Sequence, residues 1–385
     1  MYKKKNNTFS KKDFIRETMK IFVIAGFGIG DILATTPLIR NLKKKISGVE
    51  IYLLNEKVGS KNREGRQLLA DCKYLTGYIE NERLLQEKGT GIIQKIKANA
   101  FKLRELYRLI RTIRKYKFDI IIDSWPSTKN TAILSFLSGA KKRMGYLHNP
   151  FSFLYTDTIN AMDLPKPLAD AQFITSLGGK IKETDCSLEL FIDYQKTKSK
   201  ITPLLSKEGI SKKKLVIGFN VGRDKDIGRQ WTTNNWITVG KYLEKKYNAI
   251  ILFLGDNVSI QSAKDVEKKL QKKHCNLVGK LSFEESLFAL SQCDLLVSIN
   301  NGLMHMAAAE HIPIVAMSGF SLPGWDVFEK NTLTLRKHDV LNCWKKAQKC
   351  KNENYKCADE CMKLISPKEV ITAADTLLLQ IMKKT

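Results

Sequence analysis

Three short stretches of this chain carry residue types that could do chemistry. The first is Gly26-Phe27-Gly28-Ile29-Gly30-Asp31, which follows an apolar run and opens a helical pattern. Glycines so spaced let a ligand approach the backbone closely, as in dinucleotide-binding loops. Those loops carry Gly or Ala at the sixth position, where pyrophosphate sits on the helix amino terminus. Here the sixth residue is Asp31, whose carboxylate would compete with phosphate for the same amides and repel its charge. Asp31 therefore reads either as the N-cap of its own helix or as a carboxylate projecting into a crevice, poised as a base.

The second stretch, Gly222 to Trp231, lies between a strand and a helix and contains Arg229. A guanidinium pairs bidentately with phosphate oxygens; the plainer reading is a solvated charged loop. Trp231 and Trp236 would anchor it in a core. The third stretch, Ser298 to Ala309, ends a strand in Asn300 and Asn301 and starts a helix at Gly302. Bare amides at Gly302 and Leu303 form an anion site by geometry. His305 by itself reads as a packed core histidine. Asn220 and Asp256 follow strand-like runs, where open parallel sheets place ligands, and are further candidates for the same ligand.

The elements positioning these stretches alternate strand and helix. Ile21 to Ala25, Ile51 to Leu54 and Phe118 to Ile122 read as buried strands, and Asp31 to Lys45 as a helix. The rhythm fades over about 185–214, which reads as a linker holding a short strand at Leu188 to Ile192. It restarts with strands at Leu215 to Phe219, Ala249 to Leu254, Asp294 to Ile299 and Ile312 to Met317. Helices are expected at Thr233 to Tyr247, from the capping box Ser282/Glu285 to Ser291, and at Gly302 to Glu310. Ser366, Pro367 and Glu369 start a last helix. This is an α/β pattern of two doubly wound parallel sheets in tandem.

The chain has 385 residues, enough for two domains, and 43% hydrophobic residues to fill their cores. Its strand-sized apolar runs fall well short of a membrane span. The first twenty residues are basic and polar without the apolar core of a secretory signal, so a cytoplasmic location is expected. Lys and Arg outnumber Asp and Glu by 65 to 39, a net +26. The plain reading is solubility; the sharper one is an anionic partner. No nucleic-acid motif accompanies the scattered charges, which favours an acidic substrate or membrane surface over DNA. Cys343, Cys350, Cys357 and Cys361 lack paired Cys-x-x-Cys spacing and read as reduced, packed thiols rather than a metal site.

Gly30-Asp31-Ile32-Leu33-Ala34-Thr35-Thr36-Pro37-Leu38-Ile39-Arg40 resembles the opening motif of glycosyltransferase family 9, the heptosyltransferases of lipopolysaccharide core synthesis. Gly48 to Ile51, Asp123 to Lys129, Arg143-Met144-Gly145-Tyr146 and Leu177-Gly178 are similar to later family segments. Asn300 to Ala309 resembles the family's Asp-Ser/Thr-Gly-x-x-His-x-Ala-Ala, with Asn300 departing from the usual Asp. The likeness spans about Lys20 to the end of the chain.

The resemblance implies a GT-B fold, two Rossmann-like domains facing a central cleft. Residues 1–19 would be a basic extension, 20–195 the acceptor domain, 196–214 the linker and 215–365 the donor domain. The last helix, 366–385, would pack back on the first domain. Asp31 would be the catalytic base. Arg229, Asn220, Asp256, Asn300, Asn301, Gly302, Leu303 and His305 would hold the nucleotide-sugar donor. Gly30, Lys129, Arg143, Arg63 and Arg66 would face an anionic acceptor. The implied donor is ADP-heptose, and the implied acceptor is Kdo–lipid A or inner core. The enzyme would be an inverting monomer at an anionic membrane surface, requiring no metal or other cofactor. Competing readings are another sugar nucleotide, a protein acceptor, a GT-B epimerase and a non-catalytic binding protein.

Overall fold

The computed structural model describes residues 18–58, 61–62, 64–83, 92–125, 129–161, 163–210, 214–222, 230–271, 274–319, 323–337 and 358–383. Strand and helix alternate from the start: β1 (Lys20–Ile24), α1 (Ile29–Lys45), β2 (Glu50–Val58), β3 (Lys61–Asn62), α2 (Glu64–Gln67), β4 (Gly77–Arg83), α3 (Ile92–Tyr116), β5 (Ile120–Asp123), α4 (Lys129–Leu137), β6 (Lys142–Tyr146), β7 (Asp157–Ile159) and α5 (Lys166–Ser176). The strands form one sheet in the order β4-β2-β1-β5-β6-β7, parallel throughout, with the two-residue β3 antiparallel on β2.

The second half repeats the plan: α6 (Lys198–Lys207), β8 (Val216–Asn220), α7 (Thr233–Tyr247), β9 (Ile250–Phe253), α8 (Ile260–Glu267), β10 (His274–Asn276), α9 (Phe283–Leu290), β11 (Leu295–Ile299), α10 (Gly302–Ala309), β12 (Ile314–Ser318), β13 (Thr332–Arg336), α11 (Ala358–Lys363) and α12 (Pro367–Met382). Its six strands run parallel in the order β10-β9-β8-β11-β12-β13. The strand order reverses beside β1 in the first sheet and beside β8 in the second. Ligands bind beyond the carboxyl ends of strands at such points.

Helix α1 joins the halves. Ile32 to Ile39 and Leu42 are buried, and the helix packs against both α5 and α10. Pro37 sits inside it and cannot donate to the Leu33 carbonyl; the Thr36 hydroxyl donates there instead, at 2.7 Å. Lys43, Lys44 and Lys45 close the last turn, where cations suit the helix dipole. One continuous apolar cluster runs from Ile21 and Leu33 through Met304 and Ala308 to Leu296, so the two halves share a core along the α1–α10 seam.

Three expectations are corrected. The linker is not irregular: it contains α6, whose Ile201 and Leu205 are buried while the helix lies on α9. Leu188 to Ile192 makes no strand, because Phe191 exchanges backbone hydrogen bonds with the turn at Leu68 and Asp71 rather than with a sheet edge. The last helix, begun by the Ser366/Glu369 capping box, packs on the second domain rather than back on the first. Its stripe Val370, Ala374, Leu377 and Leu378 joins the core around Trp231, Trp236 and Leu243. Burying each large aliphatic there is worth about 1.5–3 kcal/mol. Asp375 adds polar anchors, accepting from Tyr242 Oη and Tyr247 Oη at 2.7 Å and from Lys246 Nζ at 2.8 Å, all on α7.

Candidate functional site

At the second sheet's reversal, β8 ends in Asn220, only 1% exposed. Its Nδ2 donates to Ser298 Oγ at 2.9 Å and to Asn301 Oδ1 at 2.7 Å. Asn301 is the N-cap of α10, and the same Oδ1 accepts the Leu303 amide at 3.1 Å. Of the two amides expected to face a diphosphate, Leu303's is therefore engaged by its own cap. Asn300 uses its amide group as a donor, from Nδ2 to the Trp325 carbonyl at 3.0 Å. An ionised carboxylate could not make that bond. Asp256 caps a single 3-10 turn, accepting from Ser259 Oγ at 3.1 Å.

His305 lies on α10 and is buried, with no partner on Nδ1. Burial alone pushes its pKa down to about 4, so the ring is neutral near pH 7. The imidazole rests on Gly30 of the first domain: a Cβ there would lie 2.6 Å from His305 Cδ2. Gly302 meets Ile29 similarly, at 3.0 Å from an added Cβ. The amino termini of α1 and α10 thus converge, and small residues on both sides permit the approach.

Asp31 stands in the first turn of α1, partly exposed. Its Oδ2 accepts the Gly28 amide at 3.2 Å: the N-cap is Gly28 rather than Asp31, which reaches back from the third helical position. Gly26, just before, is covered by the Trp125 indole, which an added Cβ would penetrate at 1.5 Å. Arg66 pairs with Glu80 at 2.6 Å, stacks on Tyr78, and lines a small depression with Phe27, Ile32, Asn55 and Glu56. Lys129 is exposed at the start of α4.

Arg143 does not join them. It is the second residue of β6, at the amino end of a parallel strand and so at the opposite edge of the sheet from Gly30. Its guanidinium donates to the Leu154 and Ala140 carbonyls at 3.0 and 2.8 Å, a structural engagement in place of the expected acceptor contact. Arg63 and Arg229 lie outside the described residues, as do Cys343, Cys350 and Cys357. Cys361 is buried. Among the described residues, no group of three or more His, Cys, Asp or Glu could hold a metal ion.

Two buried features escape a reading of the residues in order. Behind the first loop, Asp123 is fully buried, accepting from Tyr155 Oη at 2.5 Å and the Trp125 amide at 3.1 Å. Burial raises its pKa to about 7 against the pull of those hydrogen bonds. Beside it, Lys166 pairs with Asp170 and donates to Ser124 Oγ, while Ser124 Oγ and Tyr146 Oη donate to Asp170 at 2.7 and 2.6 Å. Only the i, i+4 spacing of Lys166 and Asp170 after Pro165 hints at this locally. In the second domain, Arg336 at the end of β13 binds Asp326 and Ser318 Oγ, leaving its Nη1 buried without a partner.

The family model for glycosyltransferase family 9 (heptosyltransferase) matches residues 106–362. Lipopolysaccharide heptosyltransferase 2 of Salmonella typhimurium is 23% identical over 318 residues, 79% of this chain and 84% of that protein. The crystal structure of a family 9 glycosyl transferase from Veillonella parvula superposes with a TM-score of 0.69 at 22% identity, covering 94% of this chain and 97% of the other. E. coli heptosyltransferase WaaC with ADP-2-deoxy-2-fluoro heptose gives 0.62 at 15% identity, covering 93% and 99%. These superpositions establish a shared two-domain fold.

Proposed function

The chain belongs to glycosyltransferase family 9, and we propose that it transfers a heptose from ADP-heptose to an anionic acceptor of the lipopolysaccharide inner core. The observation carrying this reading is the meeting of α1 and α10, where Gly30 touches His305 and Asp31 stands one residue on. Any sugar held at the α10 amino terminus then lies beside the first-domain carboxylate. The bound nucleotide sugar of the WaaC structure and the heptosyltransferase relatives support ADP-heptose as donor.

The reaction is an inverting displacement without metal. An acceptor hydroxyl oxygen forms the bond to the anomeric carbon from the face opposite the diphosphate. The bond from that carbon to the phosphate oxygen breaks, its electron pair leaves with the nucleoside diphosphate, and the hydroxyl proton passes to Asp31. The Gly302 end of α10 and Arg229 stabilise the charge growing on the leaving group. Asn220 and Asn301 hold that helix end in place, and the neutral His305 contacts the donor. On the other side, Arg66, Lys129 and Arg63 face the acceptor's negative groups; Arg143 has no part in this.

The test is nucleoside diphosphate release from ADP-, UDP- and GDP-sugars with lipopolysaccharide-core acceptors. Asp31→Asn should lower turnover by about 10²–10⁴-fold, the usual worth of a general base, with donor affinity little changed. Full turnover in the variant would remove Asp31 from the chemistry. Binding of UDP-sugars but not ADP-sugars would overturn the heptose reading.

A further inference from the structure

Helix α3 is the longest helix among the described residues, and its sequence carries eight Lys and Arg against Glu105 alone. It runs about 37 Å at 1.5 Å per residue. It docks on the first sheet through Glu105, Leu109 and Ile113, the last two reaching the core around Phe22 and Ile121. Turned away from that contact, Leu103, Leu106 and Tyr107 occupy one face at i, i+3 and i+4. Leu103 and Tyr107 are 68% and 62% exposed, and Leu106 37%. Arg104, Arg111 and Lys115 flank them; Arg104 is 74% exposed, and Arg111 lies over the Tyr107 ring at 5.7 Å.

We propose that this face of α3 docks the enzyme on an anionic lipid bilayer. A basic helix with apolar tips lies in the headgroup boundary, its aliphatics entering the acyl region while Lys and Arg meet lipid phosphates. Charge complementarity selects this occupant. A second copy would set the same cations against each other across a two-fold contact. Nucleic acid would use the cations but gain nothing from Leu103 and Leu106.

As the connection between parallel strands β4 and β5, α3 runs against the strand direction. Its first residues therefore lie toward the carboxyl edge that carries Gly30 and Asp31, and Leu103–Tyr107 stands midway along the helix, about 17 Å further on. Membrane docking is independent of which sugar is transferred.

The experiment is co-sedimentation of the full chain with phosphatidylcholine vesicles, with and without roughly one-third phosphatidylglycerol, in the absence of any donor. Wild type should bind the anionic vesicles and not the neutral ones. Arg104→Gln/Arg111→Gln should lower partitioning about tenfold or more, from the loss of two surface cations. Leu103→Ser/Leu106→Ser/Tyr107→Ser should lower it similarly. Leu379→Ser, an equally exposed apolar position on α12, should change nothing. All these sites are on the surface, so thermal melting should be unaltered, and donor turnover on a delipidated acceptor should persist. Equal binding to neutral vesicles, or α3 variants that bind like wild type, would overturn the proposal. So would a dimer in light scattering that the triple apolar variant dissolves. None of these results bears on Asp31, whose failure would show only in turnover.

Discussion

The two points where strand order reverses are built from different materials. In the first domain the loop after β1 is backed by charge: Asp123, Lys166 and Asp170 are buried together with Tyr146, Tyr155 and Ser124. In the second domain the equivalent place holds amides and a hydroxyl, Asn220, Ser298, Asn300 and Asn301, with a neutral His305. Buried charges are tolerated only as satisfied sets, and each member depends on its partners. Neutral amides cost less to bury and hold a helix end without adding a field of their own. The domain expected to bind a diphosphate thus leaves the electrostatics to the helix end, while the first domain keeps its charges locked behind the loop that presents Asp31.

Removing one charge from the first site should have the largest effect. Lys166→Met leaves Asp170 fully buried without its cation and should cost about 3–5 kcal/mol in urea unfolding. Lys166→Met/Asp170→Leu should recover most of that loss, since an apolar pair can replace a buried ion pair at little cost. A loss below about 1 kcal/mol in the single variant would erase the contrast between the domains. Adding a charge to the second site should do less. Asn300→Asp sets a carboxylate oxygen against the Trp325 carbonyl and should cost about 1–3 kcal/mol in the same measurement, because a bonded donor is lost.

The pH dependence should separate the two sites further. Asp123 is raised from 3.8 to about 7, so its contribution to stability is full below 3.8 and is lost as pH rises through about 7. His305 is lowered from 6.5 to about 4, so its contribution is full above 6.5 and is lost as pH falls toward about 4. Asp123→Asn should flatten the loss on the alkaline side, and His305→Gln the loss on the acid side. The two losses run in opposite directions of pH. Denaturant midpoints across pH 4 to 8 that show the same slope in both variants as in wild type would contradict this.

Among the loops, those after β1 and before α10 were legible because their signals are local. A glycine-rich turn and a capping box act within three or four residues, and Ser282/Glu285 and Ser366/Glu369 formed as their spacing implies, whereas the Asn301 cap on the Leu303 amide, expected bare, came only with the structure. Arg143 was misread although its place at the start of β6 was informative. An arginine there belongs to the far edge of a parallel sheet, whatever motif surrounds it. Asn300's role was not legible, because its partner, the Trp325 carbonyl, lies 25 residues away.

What the sequence by itself determined is the αβ rhythm and the residue types in the loops after β1 and before α10, since periodicity and capping are properties of short windows, whereas the strand orders that make those loops reversal points came from the structure. The tertiary structure alone decided that α12 closes the second domain, and that Lys166 and Asp170 meet Ser124. It alone decided that Gly30 lies under His305. Each of these joins residues tens to hundreds of positions apart. Such contacts are selected by which apolar faces can be buried together and which buried polar groups still need partners, and neither is encoded in any one stretch of chain.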